Sequence, residues 1–528
     1  MKSTILLVLA TAAWAQVTFD RLKNAPNEPG QWMTYSGRYD GWRYSALDQI
    51  RRDNARNLKV KWVYQMPVTH LVETSPIVAD GVMYFTEPPS NVVAVDAETG
   101  RQFWRYRREL PKKINVCCGQ VNRGVAVLGD KVFVGTVDAH LVALDAKTGD
   151  VLWDVEVANY QHGYSVTVAP LIVKDMVICG IAGGEYGIRG FLDAYDVANG
   201  KRRWRFWTIP GPGEKGNETW SGESWKTGGG STWVTGSYDA AQNLIIWGVG
   251  NPSPDWNGDS RLGDNLYSDS AIALDADTGK LKWHFQFVPH DVHDWDAVQV
   301  PVLVDDEWRG QRRKLVYWAH RNGFYYVLDR ETGKFLTGRA FATQTWAKGL
   351  DDNGRPIRLP NIDPTPEGVY IYPGVQGATN WYSPSYSPRT KLFYLSAWEN
   401  RSVYRKGDQE YTPGNRYIGS VPLIDLPDDP GHGAIRALNP KTGEKVWEYK
   451  LHTKPWAGLL STAGDVVFGG SDEGHIFALD AQTGRELWRQ NTGGVIRANA
   501  MSYMSRGKQV VAVAAGSSIF TFELGDAR

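Results

Sequence analysis

Two cysteines stand side by side, Cys117 and Cys118. Successive Cα atoms lie about 3.8 Å apart, below the roughly 4.4–6.8 Å usual across a disulfide, so a bond between neighbours is uncommon chemistry. Two free buried thiols are the alternative, but an oxidising compartment, argued below from the N-terminus, favours a vicinal disulfide. Cys179, in the apolar run Val177-Ile178-Cys179, reads as a buried free thiol. No C-x-x-C-H occurs, so no covalently attached haem is expected. A second reactive stretch is HDVHDWD at 290–296. Asp294 and Asp296 are two residues apart, and in an extended segment both carboxylates point to the same side. His290 and His293 invite a zinc reading, but neither a thiolate nor a matching third His accompanies them. No G-x-G-x-x-G opens a helix after a strand, which argues against a nucleotide-dependent dehydrogenase.

The elements that must position these residues are repeats. The pattern A-x-D-x-x-T-G-x-x-x-W recurs at 94–104, 143–153, 194–204, 273–283, 437–447 and 478–488, with a degenerate copy at 327–337 that ends in Thr337. In each copy an apolar strand ends at Asp, a turn follows in which Gly supplies positive φ, and a strand carrying Trp leaves. The Trp is a large apolar plate suited to wedging between neighbouring sheets. Short strand pairs such as 131–136 with 140–144, and 466–469 with 475–479, precede the motifs. A strand–turn–strand unit of this length is the signature of a propeller blade. Seven motifs close seven blades, at 63–104, 105–153, 154–204, 205–283, 284–335, 336–447 and 448–488. The strands expected at 498–503, 509–514 and 518–523 lack a motif, and 58–62 supplies the missing strand with its Trp. The expected architecture is all-β: one eight-bladed β-propeller with tryptophan-docking motifs over 16–528, its ring closed by pairing N- and C-terminal strands. Extra residues near 205–232, 336–378 and 400–433 are expected to build the mouth of a substrate funnel.

Composition agrees with a folded globular protein: 42% hydrophobic and 22% charged residues, with 56 Gly and 27 Pro for frequent turns. Lys+Arg and Asp+Glu are both 58, which removes the electrostatic argument for nucleic acid or an anionic membrane surface. Lys2, the apolar run 5–13 and Ala13-Trp14-Ala15 read as a signal peptide cleaved after Ala15, with export to a bacterial periplasm. That run is too short to span a membrane, and no later uncharged segment reaches the length needed.

A Trp-motif propeller with adjacent cysteines resembles the pyrroloquinoline quinone (PQQ) dependent alcohol dehydrogenases of the methanol and ethanol dehydrogenase type. The resemblance extends over nearly the whole mature chain through VETSP (72–76), CCGQVNRG (117–124), TVAP (167–170), GGEYGIRG (183–190), GGGSTW (228–233), GNPSPDWN (250–257), HDVHDWD (290–296), HRNG (320–323), GATNWYSPSYSP (377–388) and WAGLLSTAG (456–464). It implies that PQQ, a flat ortho-quinone with three carboxylates, is sandwiched between the Cys117–Cys118 ring and Trp233. Arg123 and Thr167 match donors to its carboxylates, and Glu73, Gly183, Gly184, Asn380 and Trp456 match further cofactor contacts. Glu185, Asn251 and Asp294 match the metal ligands, all hard oxygens that suit Ca²⁺ better than Zn²⁺. Asp296 looks like the marker of the lanthanide-dependent members, since a trivalent ion favours another anionic oxygen; a hydrogen-bonded carboxylate beside a calcium site is the alternative.

The resemblance further implies oxidation of a small primary alcohol to an aldehyde by hydride transfer to PQQ. The metal acts as Lewis acid, Asp294 as general base, and Arg321 donates to the reactive quinone oxygen. Electrons then pass to a cytochrome c or similar carrier. A homodimer is compatible with this reading. A polyol or sugar substrate is the nearest alternative, and a non-enzymatic envelope scaffold a more distant one. One departure stands out: several relatives place a Gly-Trp pair in the last blade near the cofactor, whereas this chain has Ala515-Gly516-Ser517-Ser518.

Overall fold

The computed structural model describes residues 16–68, 70–424 and 426–525; the expected signal segment, 1–15, lies outside them. Among the described residues, eight sheets form the blades: seven of four antiparallel strands, and one of five, in which Tyr44–Ser45 adds in parallel to the four antiparallel strands of 460–491. Blade 1 is Ile77–Ala79, Val82–Glu87, Asn91–Asp96 and Gln102–Tyr106. Blades 2 to 7 span 126–156, 171–207, 237–286, 302–340, 385–451 and 460–491. Blade 8 is Met501–Ser505, Lys508–Ala515 and Ser518–Leu524, and its fourth strand is Leu58–Gln65 from the other end of the chain. First strands are largely buried, and those of several neighbouring blades approach one another, whereas fourth strands are mostly exposed or half-buried. The first strand of each blade is therefore innermost. The strand expected from 498 begins instead at Met501, because Asn499 bridges to Gly458 of blade 7.

The Asp–Gly–Trp repeat has a single mechanical job. Asp96 accepts hydrogen bonds from the turn N–H groups of Glu98 and Thr99, at 2.7 and 3.3 Å. The turn then accepts the Trp of the preceding blade. Trp62, Trp104, Trp153, Trp204, Trp283 and Trp447 donate Nε1–H to the carbonyls of Ala97, Ala146, Val197, Ala276, Arg330 and Ala481, at 2.9–3.3 Å. Each ring covers the turn glycine so closely that a Cβ there would lie 2.5–2.9 Å from the indole or, at Gly200, also from Val155. Positive φ and this contact both require Gly.

The degenerate copy is repaired by a different residue. Thr337 leaves the junction of blades 5 and 6 without an indole, and Tyr325, from the neighbouring strand Phe324–Asp329, takes its place. Its hydroxyl donates to the Pro440 carbonyl at 2.9 Å, the position the Trp Nε1–H groups satisfy elsewhere, and its ring lies against Gly443. Tyr325→Ala is expected to lower stability by about 3–5 kcal/mol, the usual cost of removing a large buried aromatic. Tyr325→Phe is expected to cost about 1–2 kcal/mol, the cost of an unpaired carbonyl. Thermal unfolding of the two variants checks both.

The long insertions fall where the sequence placed them. Residues 208–236 carry the short turns Asn217–Thr219 and Ser224–Thr227. Between blades 5 and 6 lies a hairpin, Ala347–Leu350 with Pro356–Arg358. Val369–Ile371 pairs with Ser402–Tyr404 from the insertion inside blade 6. Its continuation crosses to other blades: Asn115 donates to the Gly414 carbonyl at 2.9 Å, and Tyr417 N–H to the Glu185 carbonyl at 2.7 Å. No helix among the described residues is long and apolar enough to cross a membrane.

Candidate active site

Alternating strand direction puts two connections of every blade on the same face of the ring: the lead-in to the innermost strand, and the link from the second strand to the third. The residues singled out by sequence fall almost entirely into these two positions. Glu73, Arg123, Thr167, Trp233, Asn380 and Trp456 occupy the lead-ins of blades 1, 2, 3, 4, 6 and 7, and the 290–296 loop that of blade 5. Glu185, Asn251 and Arg321 occupy the second position of blades 3, 4 and 5. Residues hundreds of positions apart thereby meet around one axis.

On one side, Arg123 Nη2 pairs with Glu73 Oε2 at 2.7 Å, and Nη1 donates to Thr167 Oγ1 at 3.0 Å. Its guanidinium lies 4.6 Å from the ring centroids of both Trp233 and Trp381. Burial raises Glu73 above the ordinary carboxylate range against the pull of Arg123. Trp456 stacks edge-on against Trp398 with centroids 4.6 Å apart. Asn380 is turned toward its own loop, its Nδ2 donating to the Gln376 carbonyl at 2.8 Å and its Oδ1 accepting from Trp381 N–H at 2.8 Å.

On the other side, Arg321 holds the 290–296 loop. Nη1 donates to Asp296 Oδ2 at 2.7 Å, and Nη2 to the Val375 carbonyl at 2.7 Å and to Asp294 Oδ2 at 3.5 Å. Asp296 also accepts from Trp233 Nε1–H at 3.2 Å and from Asn251 N–H at 2.6 Å. A Cβ at Gly250 would stand 2.3 Å from Asp296 Oδ1, so the close approach depends on that glycine. The expectation that 294 and 296 share a side because the loop is extended is corrected: His290 and Asp294 have φ of 51° and 61°, in the left-handed region. Asp291 shapes the turn by accepting from His293 N–H at 3.1 Å and Trp295 N–H at 3.0 Å. The two carboxylates meet through Arg321, not through strand alternation. Asp294 keeps 18% of its side chain accessible while Asp296 keeps 7%.

Glu185 sits in the turn Gly184–Tyr186, beside Gly183, where a Cβ on Gly184 would come within 3.3 Å of Asn251 Oδ1. Cys117 and Cys118 are joined by a disulfide, and their sulfurs and the Glu185 carboxylate all lie within 4.8 Å of one another. Burial, reinforced by the negative charge of Asp296, pushes Glu185 up to about 7. Burial also holds Asp294 well above the usual carboxylate range, with Arg321 opposing it and Asp296 and Glu185 adding to it. These acids act on one another, but among the described residues no three carboxylates bring oxygens within 4.8 Å of one another. The two histidines are otherwise engaged: His293 Nε2 is 3.0 Å from the Ile362 carbonyl and His290 Nδ1 2.9 Å from that of Gly263. Cys179 is a buried free thiol.

Sequence reasoning missed two members of this acidic pocket. Asp255 and Asp269 are fully buried, and neither oxygen of either has a hydrogen-bond partner. Burial pushes both far above the ordinary range; Asp294 and Glu185 add to the effect on Asp255, and Asp291 and Asp296 to that on Asp269. Asp255 lies inside GNPSPDWN and could have been flagged there; Asp269 carries no motif signal. Buried acids within electrostatic reach of one another, two of them without a hydrogen-bond partner, are a setting for a hard cation. Arg123 and Arg321 each leave a buried Nε without a partner, which fits an anionic ligand between them.

Residues 32–339 match a family model described as glucose/ethanol/alcohol dehydrogenase, beta-propeller domain. Residues 431–528 match one described as outer membrane protein assembly factor BamB. The chain is similar to the quinoprotein alcohol dehydrogenase PedH of Pseudomonas putida: 38% identical over 537 residues, 97% of this chain and 90% of that protein. It is similar to the quinoprotein ethanol dehydrogenase of Pseudomonas aeruginosa: 36% identical, over 97% of this chain and 90% of that protein. Among solved structures, a europium-containing methanol dehydrogenase superposes with a TM-score of 0.90 at 32% identity, covering 96% of this chain and 100% of the other.

Proposed function

The chain belongs to the PQQ-dependent quinoprotein alcohol dehydrogenases, and from that premise we propose that it oxidises small primary alcohols to aldehydes in the periplasm, using PQQ and a lanthanide ion. A cytochrome c or similar carrier receives the electrons. The observation that carries this reading is the Arg321 clamp: one buried guanidinium bonds Asp296 tightly and Asp294 loosely, leaving Asp294 as the accessible carboxylate.

Glu73, Arg123, Thr167, Asn380, Trp456, Gly183 and Gly184 would hold the cofactor, with the Cys117–Cys118 disulfide and Trp233 as its flat walls. Glu185, Asn251, Asp294 and Asp296 would hold the cation. When bound, PQQ would supply a two-electron hydride acceptor for the alcohol carbon, and the cation a Lewis acid. Asp294 accepts the hydroxyl proton on the carboxylate oxygen that Arg321 leaves open. Arg321 is oriented for donation by Asp296 and the Val375 carbonyl, so its charge is in place before the reaction begins. The insertion through Gly414 and Tyr417 covers Glu185 and helps exclude water.

The trivalent ion is supported by charge. Burial holds Glu185, Asp255, Asp294 and Asp296 above their ordinary range and a neighbouring carboxylate raises each further, so a trivalent cation would offset the cost of ionising them together. Asp296 Oδ2 accepts from two protein donors, whereas Oδ1 accepts from Asn251 N–H alone and keeps lone-pair capacity for a cation. Metal-free protein reconstituted with PQQ and either La³⁺ or Ca²⁺ tests the assignment by dye-linked oxidation of short primary alcohols. Activity with La³⁺, lost in Asp296→Ala, is the expected result. Activity with Ca²⁺ alone makes Asp296 a hydrogen-bonding bystander. Inactivity with both turns the reading toward polyols or sugars, and failure to bind PQQ toward a scaffold.

A further inference from the structure

Seven of the eight lead-ins to innermost strands contribute a residue to the site as described. The eighth, leading into Met501–Ser505, carries Arg497, four positions before its strand, the same offset as Glu73, Thr167, Trp233 and Trp456 from theirs. The guanidinium lies 5.0 Å from the Trp456 ring centroid, and Nη2 donates to Asp472 Oδ2 at 3.1 Å. Its Nε is buried without a partner, as are those of Arg123 and Arg321. Its charge reaches Glu73 across the ring closure, so it faces the same central space. Asp472 occupies in blade 7 the position that Arg321 holds in blade 5.

The lead-in is also tied to the last turn of its own blade. Gly516 N–H donates to the Val495 carbonyl at 2.7 Å, and a Cβ on Gly494 would lie 2.7 Å from the Gly516 Cα. The turn at 515–518, with no Trp, thus packs directly against the loop that presents Arg497. A cation with an uncommitted Nε–H is thereby held in place beside Trp456.

We propose that Arg497 is a further cofactor-binding residue, the blade-8 donor to a carboxylate of the flat tricarboxylate cofactor. The proposal rests on the PQQ reading of the site. A planar guanidinium is matched to a carboxylate, and a charge-assisted hydrogen bond of this kind is worth about ten- to a hundredfold in affinity. Asp472 competes for the same donor, so the two carboxylates, one of the protein and one of the ligand, divide the guanidinium between them.

The test is PQQ titration of the full chain prepared without cofactor, followed by tryptophan fluorescence quenching and by PQQ retained on ultrafiltration. Arg497→Met is expected to weaken PQQ binding at least tenfold, with Arg497→Lys intermediate because it keeps charge but not the fork. Asp472→Asn is expected to tighten binding severalfold, an effect of opposite sign that fold damage does not produce. PQQ affinity unchanged in both Arg497→Met and Asp472→Asn overturns the role of Arg497 and leaves the cofactor reading standing. Absence of PQQ binding by the unmodified chain overturns both.

Discussion

Asp294→Asn is expected to lower kcat for a short primary alcohol about a thousandfold, while PQQ affinity stays within about threefold of the parent. Asn has the size of Asp and keeps a carbonyl oxygen, so a cation retains a ligand atom at that position. What it lacks is a site that can take up a proton. General-base contributions run to roughly 10²–10⁴-fold, and a thousandfold is about 4 kcal/mol of barrier. The clamp survives the change, because Arg321 is held at 2.7 Å by Asp296 and at 2.7 Å by the Val375 carbonyl, against 3.5 Å to Asp294. The measurement is a kcat and KM comparison over pH on reconstituted enzyme. The parent's activity should rise with pH as the base ionises, and the variant should lose that limb. A kcat within tenfold of the parent would remove Asp294 from the proton-transfer step.

The metal-free protein is expected to be less stable at pH 8 than at pH 5, and added lanthanide to reverse the trend. Glu185 moves from an ordinary 4.5 to about 7 on folding because burial disfavours its charged form. Between those values the folded state binds more protons than the unfolded one, so stability falls as pH rises and levels off above 7. At about 1.4 kcal/mol per tenfold change in proton affinity, Glu185 alone accounts for about 3 kcal/mol. Asp255, Asp269 and Asp294 are shifted in the same direction by the same burial. At roughly 2 cal/mol/K per residue of unfolding entropy, the Glu185 part corresponds to about 3 °C in Tm. A cation binds the ionised acids, so it should raise Tm strongly at pH 8 and little at pH 5. Glu185→Gln should flatten the slope of the metal-free protein. A Tm that climbs steadily from pH 5 to pH 8 without metal would contradict the buried-acid account.

The repeat was legible because its physics is local. Asp bonds its own turn, Gly takes positive φ and Trp docks one blade away, so seven blades follow from spacing and the eighth from pairing the chain ends. The exception at Thr337 was legible as a gap but not as a repair: Tyr325 serves there because of its place across the strand pairing from Arg339 and over Gly443, which spacing does not express. The candidate site was legible only through motifs. The reason is that its residues lie in connections, where side-chain direction depends on loop conformation and not on strand period. The 290–296 loop illustrates this, since a left-handed Asp294 places the two carboxylates by a route that alternation would not give.

By itself, then, the amino-acid sequence determined the blade, the number of blades and the family, since each rests on contacts within about one repeat or on a string of short motifs. Tertiary structure alone decided which connections face one another. It put Arg123 between Glu73 and Thr167, gave Asp296 to Arg321 while leaving Asp294 open, buried Asp255 and Asp269 without partners, and turned Arg497 toward Trp456. Those outcomes depend on eight blades closing around one axis, which brings lead-ins from across the whole chain to the same space and removes water from the charges they carry.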